Sequence, residues 1–376
     1  MTTGHAAPKR LSVLFAGGGT GGHLYPAIAI AEEIRQRRPD AEITFVGTDN
    51  SIEARVVPTQ GFRFASIWIS GFKRKMSLDM PLFFVKLVVA CGQSLVLIRK
   101  LRPDVVVGTG GYVCGPPLYV ASLLGLPTLI QEQNSFPGVT TRMLASRMNE
   151  VHISFETAKR QMKRLDNVFV TGNPTRAAIG TIQRAEGARF FGIDPLKKTL
   201  VVVGGSQGAA SINNAMLGIL REIQAMHVQL VWVTGSDDFA RIEGAVQETG
   251  LGEAAGVKLF QYLETMENVY AVADLAVCRS GATTIAELTR AGVPSVLIPY
   301  PFAAADHQTE NAKAVAESGA AVVVRDREMG ETLLRTIRDL LGDPQRLESM
   351  AAKARAQGAP QATETLATAA LRLAGA

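Results

Sequence analysis

The sequence predicts an α/β protein made of two Rossmann-like domains in tandem, each built on a parallel sheet. Short apolar segments alternate with helical segments, which is typical of parallel strands joined by right-handed crossovers. The alternation restarts after residues 172–174, and each half opens with a strand, a glycine-rich turn and a helix. We therefore expect domains at 9–173 and 174–355, with a C-terminal helix at about 356–376 able to pack back on the first domain.

The expected strands are short runs of mainly aliphatic residues. In the first half they are Leu11–Ala16, Ile43–Gly47, Val105–Gly108, Thr128–Gln131, His152–Ser154 and Val168–Val170. In the second half they are Thr199–Val203, Leu230–Thr234, Val257–Gln261, Leu275–Cys278, Ser295–Ile298 and Ala321–Val324. We expect helices at Leu24–Ile34 and at the charged stretch Thr175–Phe191. Ligands of such sheets bind beyond the carboxyl ends of the strands, so we expect the two carboxyl edges to face each other across a cleft.

Composition restricts the class of protein. The chain has 376 residues, of which 47% are hydrophobic and 19% charged, enough for two ordinary cores. Its three cysteines lack the spacing of metal ligands, which indicates reduced thiols in a cytoplasmic setting and argues against a zinc site. The polar start, Met1–Arg10, does not predict a signal peptide, and we expect no nucleic-acid partner.

The first glycine turn, GGGTGGH at residues 17–23, lies between the first strand and the first helix. Backbone N–H groups and the positive end of the helix dipole make such a turn an anion site, which glycines leave open to a phosphate. The turn also fits the dinucleotide pattern G-x-G-x-x-G. The acidic residue that this pattern requires has a loose candidate in Asp49, so a nicotinamide oxidoreductase and a purely structural turn remain alternatives.

The second glycine turn, Gly204–Gly208, again follows a strand directly. Its sequence GGSQG fits the nucleophile-elbow pattern G-x-S-x-G. A serine hydrolase with Ser206 as nucleophile, and Asp274 and His307 as its partners, is therefore a second alternative. That hypothesis leaves the glycine turn of the first half without a role.

Residues 274–287, DLAVCRSGATTIAE, are the sharpest signal of the second half. Ser280 follows a strand and is expected to cap the next helix, whose N-terminal N–H groups would face a diphosphate. Glu287 lies seven residues later, about two turns along the same face, where a carboxylate can accept hydrogen bonds from ribose or sugar hydroxyls. The alternative is an ordinary solvated helix residue.

Six motifs, taken in order, resemble those of the MurG family of glycosyltransferases. They are GGGTGGHLYPAIAIA, QEQNSFPG, GNPTR, GGSQGAASIN, CRSGATTIAEL and DHQTENA, and the resemblance covers about residues 10 to 360. It implies the GT-B architecture and transfer of N-acetylglucosamine from UDP-N-acetylglucosamine to the C4 hydroxyl of lipid I, undecaprenyl-pyrophosphoryl-N-acetylmuramoyl-pentapeptide. The product would be lipid II of bacterial peptidoglycan, with inversion at the anomeric carbon. The family needs no cofactor or metal for the donor, and the chain contains no D-x-D pair.

The resemblance also implies a set of binding residues. They are Thr20, Gly21, Gly22, Asn134, Arg176, Ser206, Leu263, Ala282, Thr283, Thr284, Ile285, Ala286, Glu287 and Gln308. The first three would lie against the donor and the acceptor diphosphate, and residues 282–287 would form the diphosphate and ribose cradle. Arg176 and Ser206 would contact the nucleotide end of the donor, while Asn134 and Gln308 would contact its sugar.

Two further residues need separate comment. Leu263 stands where the family often has isoleucine, and the implied contact with uracil is made by backbone groups that tolerate the change. His23 ends the first glycine turn and is the candidate general base, since inverting transfer needs a group that accepts the proton of the attacking hydroxyl. The alternative is that His23 only shapes the turn or binds phosphate.

A lipid-anchored acceptor implies contact with a membrane. Residues 71–105 carry seven basic and two acidic side chains, and Phe72–Leu87 combines a cationic cluster with apolar residues. Such a segment is expected to bind an anionic membrane surface, which would place the protein peripherally on the cytoplasmic face of the cell membrane. A membrane-spanning helix is not expected, because Lys86 and Gln93 interrupt the apolar run. A core helix after a solvated basic loop, and a non-catalytic UDP-sugar-binding protein, remain alternatives.

Overall fold

The computed structural model describes residues 10–71, 80–205, 208–252, 256–303 and 306–376. The chain divides into two compact units, Met1–Thr175 with Gln361–Ala376, and Arg176–Pro360. The chain passes from one unit to the other after Thr175 and after Pro360, two and five residues beyond the expected boundaries at 173 and 355. Each unit contains one parallel sheet flanked by helices, which confirms the expected pair of Rossmann-like domains.

The first unit opens the chain with a seven-stranded sheet. Its strands are β1 (Ser12–Ala16), β2 (Glu42–Gly47), β3 (Arg63–Ser66), β4 (Val105–Gly108), β5 (Thr128–Glu132), β6 (Glu150–Ile153) and β7 (Val168–Val170). The order is β3-β2-β1-β4-β5-β6-β7, and every pairing is parallel. The central strands β1, β4 and β5 are almost fully buried, because helices cover both faces of the sheet.

The second unit repeats this plan with six strands. They are β8 (Thr199–Val203), β9 (Gln229–Val233), β10 (Val257–Phe260), β11 (Leu275–Cys278), β12 (Ser295–Leu297) and β13 (Ala321–Val323). The order β10-β9-β8-β11-β12-β13 is the doubly wound order of the first unit without its seventh strand. In both units the strand order therefore reverses next to the strand that precedes the glycine turn.

The helices cover the faces of the two sheets. In the first unit they are α1 (Gly21–Arg37), α2 (Ile52–Thr59), α3 (Met80–Leu101), α4 (Gly115–Leu123) and α5 (Val139–Leu144). The second unit adds α6 (Arg184–Phe191), α7 (Ala210–Gly218), α8 (Leu220–Ala225), α9 (Phe239–Thr249), α10 (Met266–Val272), α11 (Ala282–Ala291), α12 (His307–Glu317), α13 (Met329–Leu341) and α14 (Pro344–Gln357). The chain ends in α15 (Ala362–Leu373).

Helix α15 belongs to the first unit although it is last in the sequence. It packs on α1, and Leu366, Ala367 and Ala370 are fully buried in the core under β1. Its Arg372 forms an ion pair with the buried Glu150 at the start of β6. The small side chains of this alanine-rich helix let it lie close to the rest of the unit.

All twelve expected strands are present, with ends shifted by two residues or fewer. The sequence analysis missed β3, because this edge strand (Arg63–Ser66, RFAS) has no apolar run and alternates only weakly. The expected helix at Thr175–Phe191 was wrong in its first half. Gly180 has a positive φ of 80°, which a right-handed helix does not allow, so the helix of this stretch, α6, begins only at Arg184.

Helix α3 contains the apolar half of the expected membrane segment. By length and composition alone, Pro81–Leu101 is apolar enough to cross a membrane, with a mean hydropathy of 2.0. The sequence predicts no such helix, because Lys86 and Gln93 interrupt the apolar run. Both polar residues form hydrogen bonds within the first unit. Lys86 Nζ donates to Ser70 Oγ at 3.3 Å, and Gln93 Oε1 accepts from Trp68 N at 2.7 Å. The helix also packs on α4, so one side of it is tied to the first unit. The cationic cluster, residues 72–75, lies outside the described residues.

Candidate functional site

The first glycine turn joins β1 to α1 at the carboxyl edge of the first sheet. Helix α1 begins at Gly21, and Thr20 precedes it in an extended conformation with φ −148°. The carbonyl oxygen of Thr20 accepts from the N–H groups of His23 and Leu24, each at 3.2 Å. Thr20, Gly21 and Gly22 thus lie at a helix N-terminus, where unpaired backbone N–H groups favour an anion.

A buried carboxylate lies directly beneath this turn. Glu53 on α2 is 1% exposed, and its Oε2 accepts from Gly19 N at 3.1 Å. Its Oε1 accepts from Thr48 N at 3.3 Å. A Cβ on Gly18 would come within 2.4 Å of the same carboxylate, so glycine is required there. The expectation that the N–H groups of the turn face a ligand is therefore wrong for Gly19, whose N–H faces Glu53.

The ring of His23 is enclosed by a second glycine-rich segment, Thr109–Gly111. The Thr109 hydroxyl donates to the His23 carbonyl oxygen at 2.8 Å. Gly110 and Gly111 have positive φ angles of 97° and 80°, and a Cβ on Gly110 would lie 2.7 Å from His23 Nδ1. His23 Nδ1 is 2.9 Å from Oε1 of the buried Gln133. The glycines therefore leave room for the ring, and Gln133 supplies its hydrogen-bond partner.

The QEQNSFPG segment carries a second buried carboxylate. Glu132, at the end of β5, is 2% exposed, and its Oε1 accepts from Asn134 N at 3.1 Å and Asn134 Nδ2 at 3.2 Å. Its Oε2 accepts from Gly138 N at 3.0 Å. Glu132 therefore fixes the loop that presents Asn134 at the carboxyl edge of the first sheet.

In the second unit the turn between β11 and α11 differs from the expectation in one detail. Gly281 is the residue before the helix, and Ser280 is not its cap. The Ser280 hydroxyl instead donates to the Gln308 carbonyl oxygen at 2.8 Å, which ties this turn to α12. Within the described residues the buried hydroxyl of Thr283 has no hydrogen-bond partner. Residues 282–284 form the N-terminus of α11, and a helix N-terminus favours an anion.

Glu287 on α11 is buried, unlike an ordinary solvated helix residue. It is 9% exposed, and its Oε2 accepts from the Tyr270 hydroxyl at 2.9 Å. Its Oε1 is 3.7 Å from Nη2 of Arg176, whose side chain is 46% exposed. Burial raises the pKa of Glu287 above its ordinary value, while Arg176 and the Tyr270 hydrogen bond oppose that rise. Burial and the nearby carboxylate raise the pKa of Tyr270 well above its ordinary value, so its phenol stays a hydrogen-bond donor.

Arg176 is oriented by more than one acceptor. Its Nη1 donates to the carbonyl oxygen of Glu264 and lies 3.8 Å from the carboxylate of Glu267. The segment that follows is held on α11, because Arg290 donates to the carbonyl oxygens of Ala177 and Ile179, each at 2.9 Å. The structure thus brings Arg176 and Glu287 together, two residues that the resemblance assigned to one nucleotide.

The remaining expected residues are distributed along the carboxyl edge of the second sheet. Leu263 is half-buried in the loop after β10. Gln308 is half-buried near the start of α12, and its Oε1 accepts from Tyr300 N at 2.9 Å. Ser206 lies outside the described residues. No group of three or more potential metal ligands occurs among the residues that the structure describes.

The serine-hydrolase alternative fails on topology. Asp274 immediately precedes β11, and its carboxylate accepts from Thr199 N at 2.7 Å and from Arg184 at 2.8 Å. Thr199 begins β8 and Val203 ends it roughly 13 Å away, and the proposed nucleophile comes after Val203 in the sequence. Asp274 therefore lies at the amino edge of the sheet, where it cannot orient a histidine for Ser206.

Three residues of this arrangement were missed from the sequence. Glu53 and Tyr270 are distant in sequence from the motifs that they support, and no local pattern points to them. Gln133 lies inside the QEQNSFPG motif, but nothing in that motif shows that its amide contacts His23. A glutamine beside a glycine-cradled histidine is recognised only when the fold brings strand β5 next to β4.

The buried carboxylate of Glu287 predicts a pH-dependent difference in stability. A raised folded pKa means that the native state binds the proton more tightly than the unfolded chain. The contribution of Glu287 to the free energy of unfolding therefore falls as pH rises from the ordinary value of 4.5 through the raised folded pKa. Relative to wild type, Glu287→Gln should gain stability across that window, by about 1.4 kcal/mol for each pKa unit.

Urea unfolding followed at a series of pH values measures this difference. The control is the exposed Glu248→Gln, for which the difference from wild type should not change over the same window. A pH-independent difference for Glu287→Gln would mean that Arg176 and Tyr270 fully offset the cost of burial.

Comparison with known proteins agrees with this geometry. Residues 13–153 match the model of the glycosyltransferase family 28 N-terminal domain, and residues 199–366 match that of the family 28 C-terminal domain. The UDP-N-acetylglucosamine–N-acetylmuramyl-(pentapeptide) pyrophosphoryl-undecaprenol N-acetylglucosamine transferase of Chlorobaculum tepidum is 45% identical, over 95% of this chain and 98% of the relative. The protein of the same name from Halalkalibacterium halodurans is 39% identical over 95% and 98%.

A solved structure also matches the chain over almost its whole length. The crystal structure of Acinetobacter baumannii MurG superposes with a TM-score of 0.76 at 28% identity, over 96% of this chain and 99% of that one. Both units of the present chain are covered by family models, and the relatives match it almost end to end. With its two Rossmann-like units of the GT-B architecture, the chain belongs to the MurG family within glycosyltransferase family 28.

Proposed function

We propose that the protein transfers N-acetylglucosamine from UDP-N-acetylglucosamine to the C4 hydroxyl of lipid I, forming lipid II and UDP. The observation that carries this proposal is the start of α11. There a helix N-terminus and the buried Glu287 carboxylate occur within two helical turns. These groups suit a diphosphate followed by a ribose, and family membership supplies the sugar-nucleotide chemistry.

The proposed donor site belongs to the second unit. The N–H groups and side chains of residues 282–286 would bind the diphosphate, and Ser206 would contact the nucleotide end of the donor. Glu287 would accept hydrogen bonds from the ribose hydroxyls, since its carboxylate is held by Tyr270 at 2.9 Å. Arg176 would exchange its 3.7 Å contact with Glu287 for the negative charge of the nucleotide. Backbone groups at Leu263 would contact uracil, and Gln308 the sugar.

The reaction is an inverting displacement at the anomeric carbon of the donor. The C4 oxygen of the muramoyl sugar forms a bond to that carbon while the bond to the UDP oxygen breaks, and UDP leaves with the electron pair. The partial positive charge at the start of α11 would stabilise the departing diphosphate. The hydroxyl proton goes to a general base, and His23 is the proposed acceptor. Thr20, Gly21, Gly22 and Asn134 would hold the sugar and diphosphate groups on the first-unit side.

Helix α3 supports a peripheral position on the cytoplasmic face of the cell membrane. Phe84, Val88 and Val96 are 56%, 72% and 68% exposed, although such residues normally lie in a core. Lys86 and Gln93 face the protein, which leaves an apolar side for the interface. With the basic residues at 73–75, this side would bind an anionic surface and bring the lipid-anchored acceptor within reach.

Transfer to lipid tests the function directly. Incubation with radiolabelled UDP-N-acetylglucosamine and a lipid I analogue should move the label into the lipid fraction, and Glu287→Ala should lower that transfer at least tenfold through the donor KM. Loss of the donor without labelled lipid would instead indicate hydrolysis. Donor binding without turnover would indicate a non-catalytic sugar-nucleotide sensor.

The role of His23 is tested by His23→Ala in the same assay. Removal of a general base should lower kcat by about 10²–10⁴-fold while the affinity for the donor is nearly kept. Isothermal titration with UDP measures that affinity independently. A variant of near-normal kcat would remove His23 from the role of base and leave it as a group that shapes the turn.

Membrane contact is tested by flotation with vesicles rich in phosphatidylglycerol at low salt. Wild type should be retained, and the double change Phe84→Glu with Val88→Glu should lower retention about tenfold or more, because it places charge in the interface. The control is Leu196→Glu, at a 93% exposed leucine of the second unit, which should bind as wild type does. Equal retention of both variants would exclude α3 as the contact.

A further inference from the structure

We propose that Gln133 is a positioning residue, which fixes His23 in the tautomer that carries its proton on Nδ1 and leaves the lone pair on Nε2. The inference rests on the proposed role of His23 as base and adds a residue to it. Neutral imidazole has one donor nitrogen and one acceptor nitrogen, and the neighbour of one nitrogen decides which is which. Here that neighbour is Gln133 Oε1, 2.9 Å from Nδ1.

The orientation of the Gln133 amide follows from its other contacts. Gln133 is 2% exposed, and its Nε2 lies 2.7 Å from the Thr109 carbonyl oxygen and 3.4 Å from the Gln131 carbonyl oxygen. Backbone carbonyl oxygens only accept hydrogen bonds. The reversed amide would bring its oxygen against two carbonyl oxygens in a buried site, which is strongly unfavourable. The oxygen of Gln133 must therefore face His23.

A chain of buried amides supports the same direction. Gln133 Nε2 also donates to Gln131 Oε1. Gln131 Nε2 in turn donates to Asn173 Oδ1 at 3.1 Å and to Ser154 Oγ at 3.3 Å. The Ser154 hydroxyl is committed as a donor to the Glu132 carbonyl oxygen at 3.0 Å, so its oxygen is left to accept. The carbonyl oxygens of Thr109 and Glu132, one at each end, thus set the orientation of the Gln133 and Gln131 amides.

The tautomer of His23 follows from that direction. An oxygen that can only accept requires a proton on Nδ1, so neutral His23 has its lone pair on Nε2. Gln133 Oε1 lies 2.9 Å from Nδ1, and the missing side chains of Gly110 and Gly111 leave the ring room to lie in this position. Without Gln133, Nε2 would hold the proton in part of the molecules and could not accept one. The same logic explains the buried carboxylate of a Ser-His-Asp triad, whose loss leaves the wrong tautomer.

The first test is spectroscopic and needs no variant of Gln133. Protein labelled with 15N-histidine, at a pH where His23 is neutral, should show a protonated Nδ1 and an unprotonated Nε2 for this residue. His23→Ala assigns the signals by their disappearance. A protonated Nε2 in wild type would overturn the inference, whatever His23 does in catalysis.

The second test is kinetic and uses Gln133→Met, which keeps the volume and removes the acceptor. We expect kcat to fall about 10- to 10³-fold with little change in the donor KM, and the tautomer signals of His23 to become mixed. In the His23→Ala background the same change should cost less than about twofold, because the two residues act as one unit. An equal loss in both backgrounds would overturn the inference in favour of a structural role.

The matched control is Gln229→Met in the second unit. Gln229 is also buried, and its amide bonds Asp194 and Thr199 at the opposite edge of the other sheet. This variant should lose stability and leave kcat and the His23 signals unchanged. If His23→Ala keeps near-normal turnover while wild type shows the proton on Nδ1, the proposed base is wrong and the tautomer assignment stands.

Discussion

The parallel strand order is the constraint on which the rest of this structure depends. In each unit the strand before the glycine turn lies at the centre, and the order reverses between it and the next strand, β4 or β11. The carboxyl ends of all strands of a sheet then lie at the same edge. The glycine turn after the central strand opens at that edge, next to the loops that follow the neighbouring strands. The loop with Asn134 and the starts of the helices with His23, Glu287 and Gln308 owe their positions to this arrangement.

Buried polar groups then convert that edge into a site with defined geometry. Glu53 and Glu132 each accept backbone N–H groups of a loop and hold it in place. Tyr270 and Gln133 do the same for one functional side chain each. Such groups are costly to bury unless they are satisfied, so a fold that keeps them selects a single arrangement. In both units the groups proposed for chemistry are therefore oriented by buried side chains of the same unit.

The two units divide the proposed chemistry. The second unit supplies the positive end of α11 and the half-exposed Arg176, which suit an anionic sugar nucleotide. The first unit supplies the candidate base and an apolar helix for a lipid-bearing partner. Burial raises the pKa of Glu287, so the contribution of this carboxylate to the free energy of unfolding falls as pH rises through that pKa.

The sequence by itself determined the fold class, the strands with strong apolar runs and the family, because these depend on local composition and on ordered motifs. It did not determine β3, the break at Gly180 or the cap of α11, where tertiary contacts outweigh local propensity. Nor did it determine which residues hold Glu287 and His23. Tyr270 and Gln133 reach them over 17 and 110 residues of sequence, a proximity that only the packing of strands and helices creates. The first glycine turn illustrates both parts, since its pattern was visible and its Glu53 partner was not.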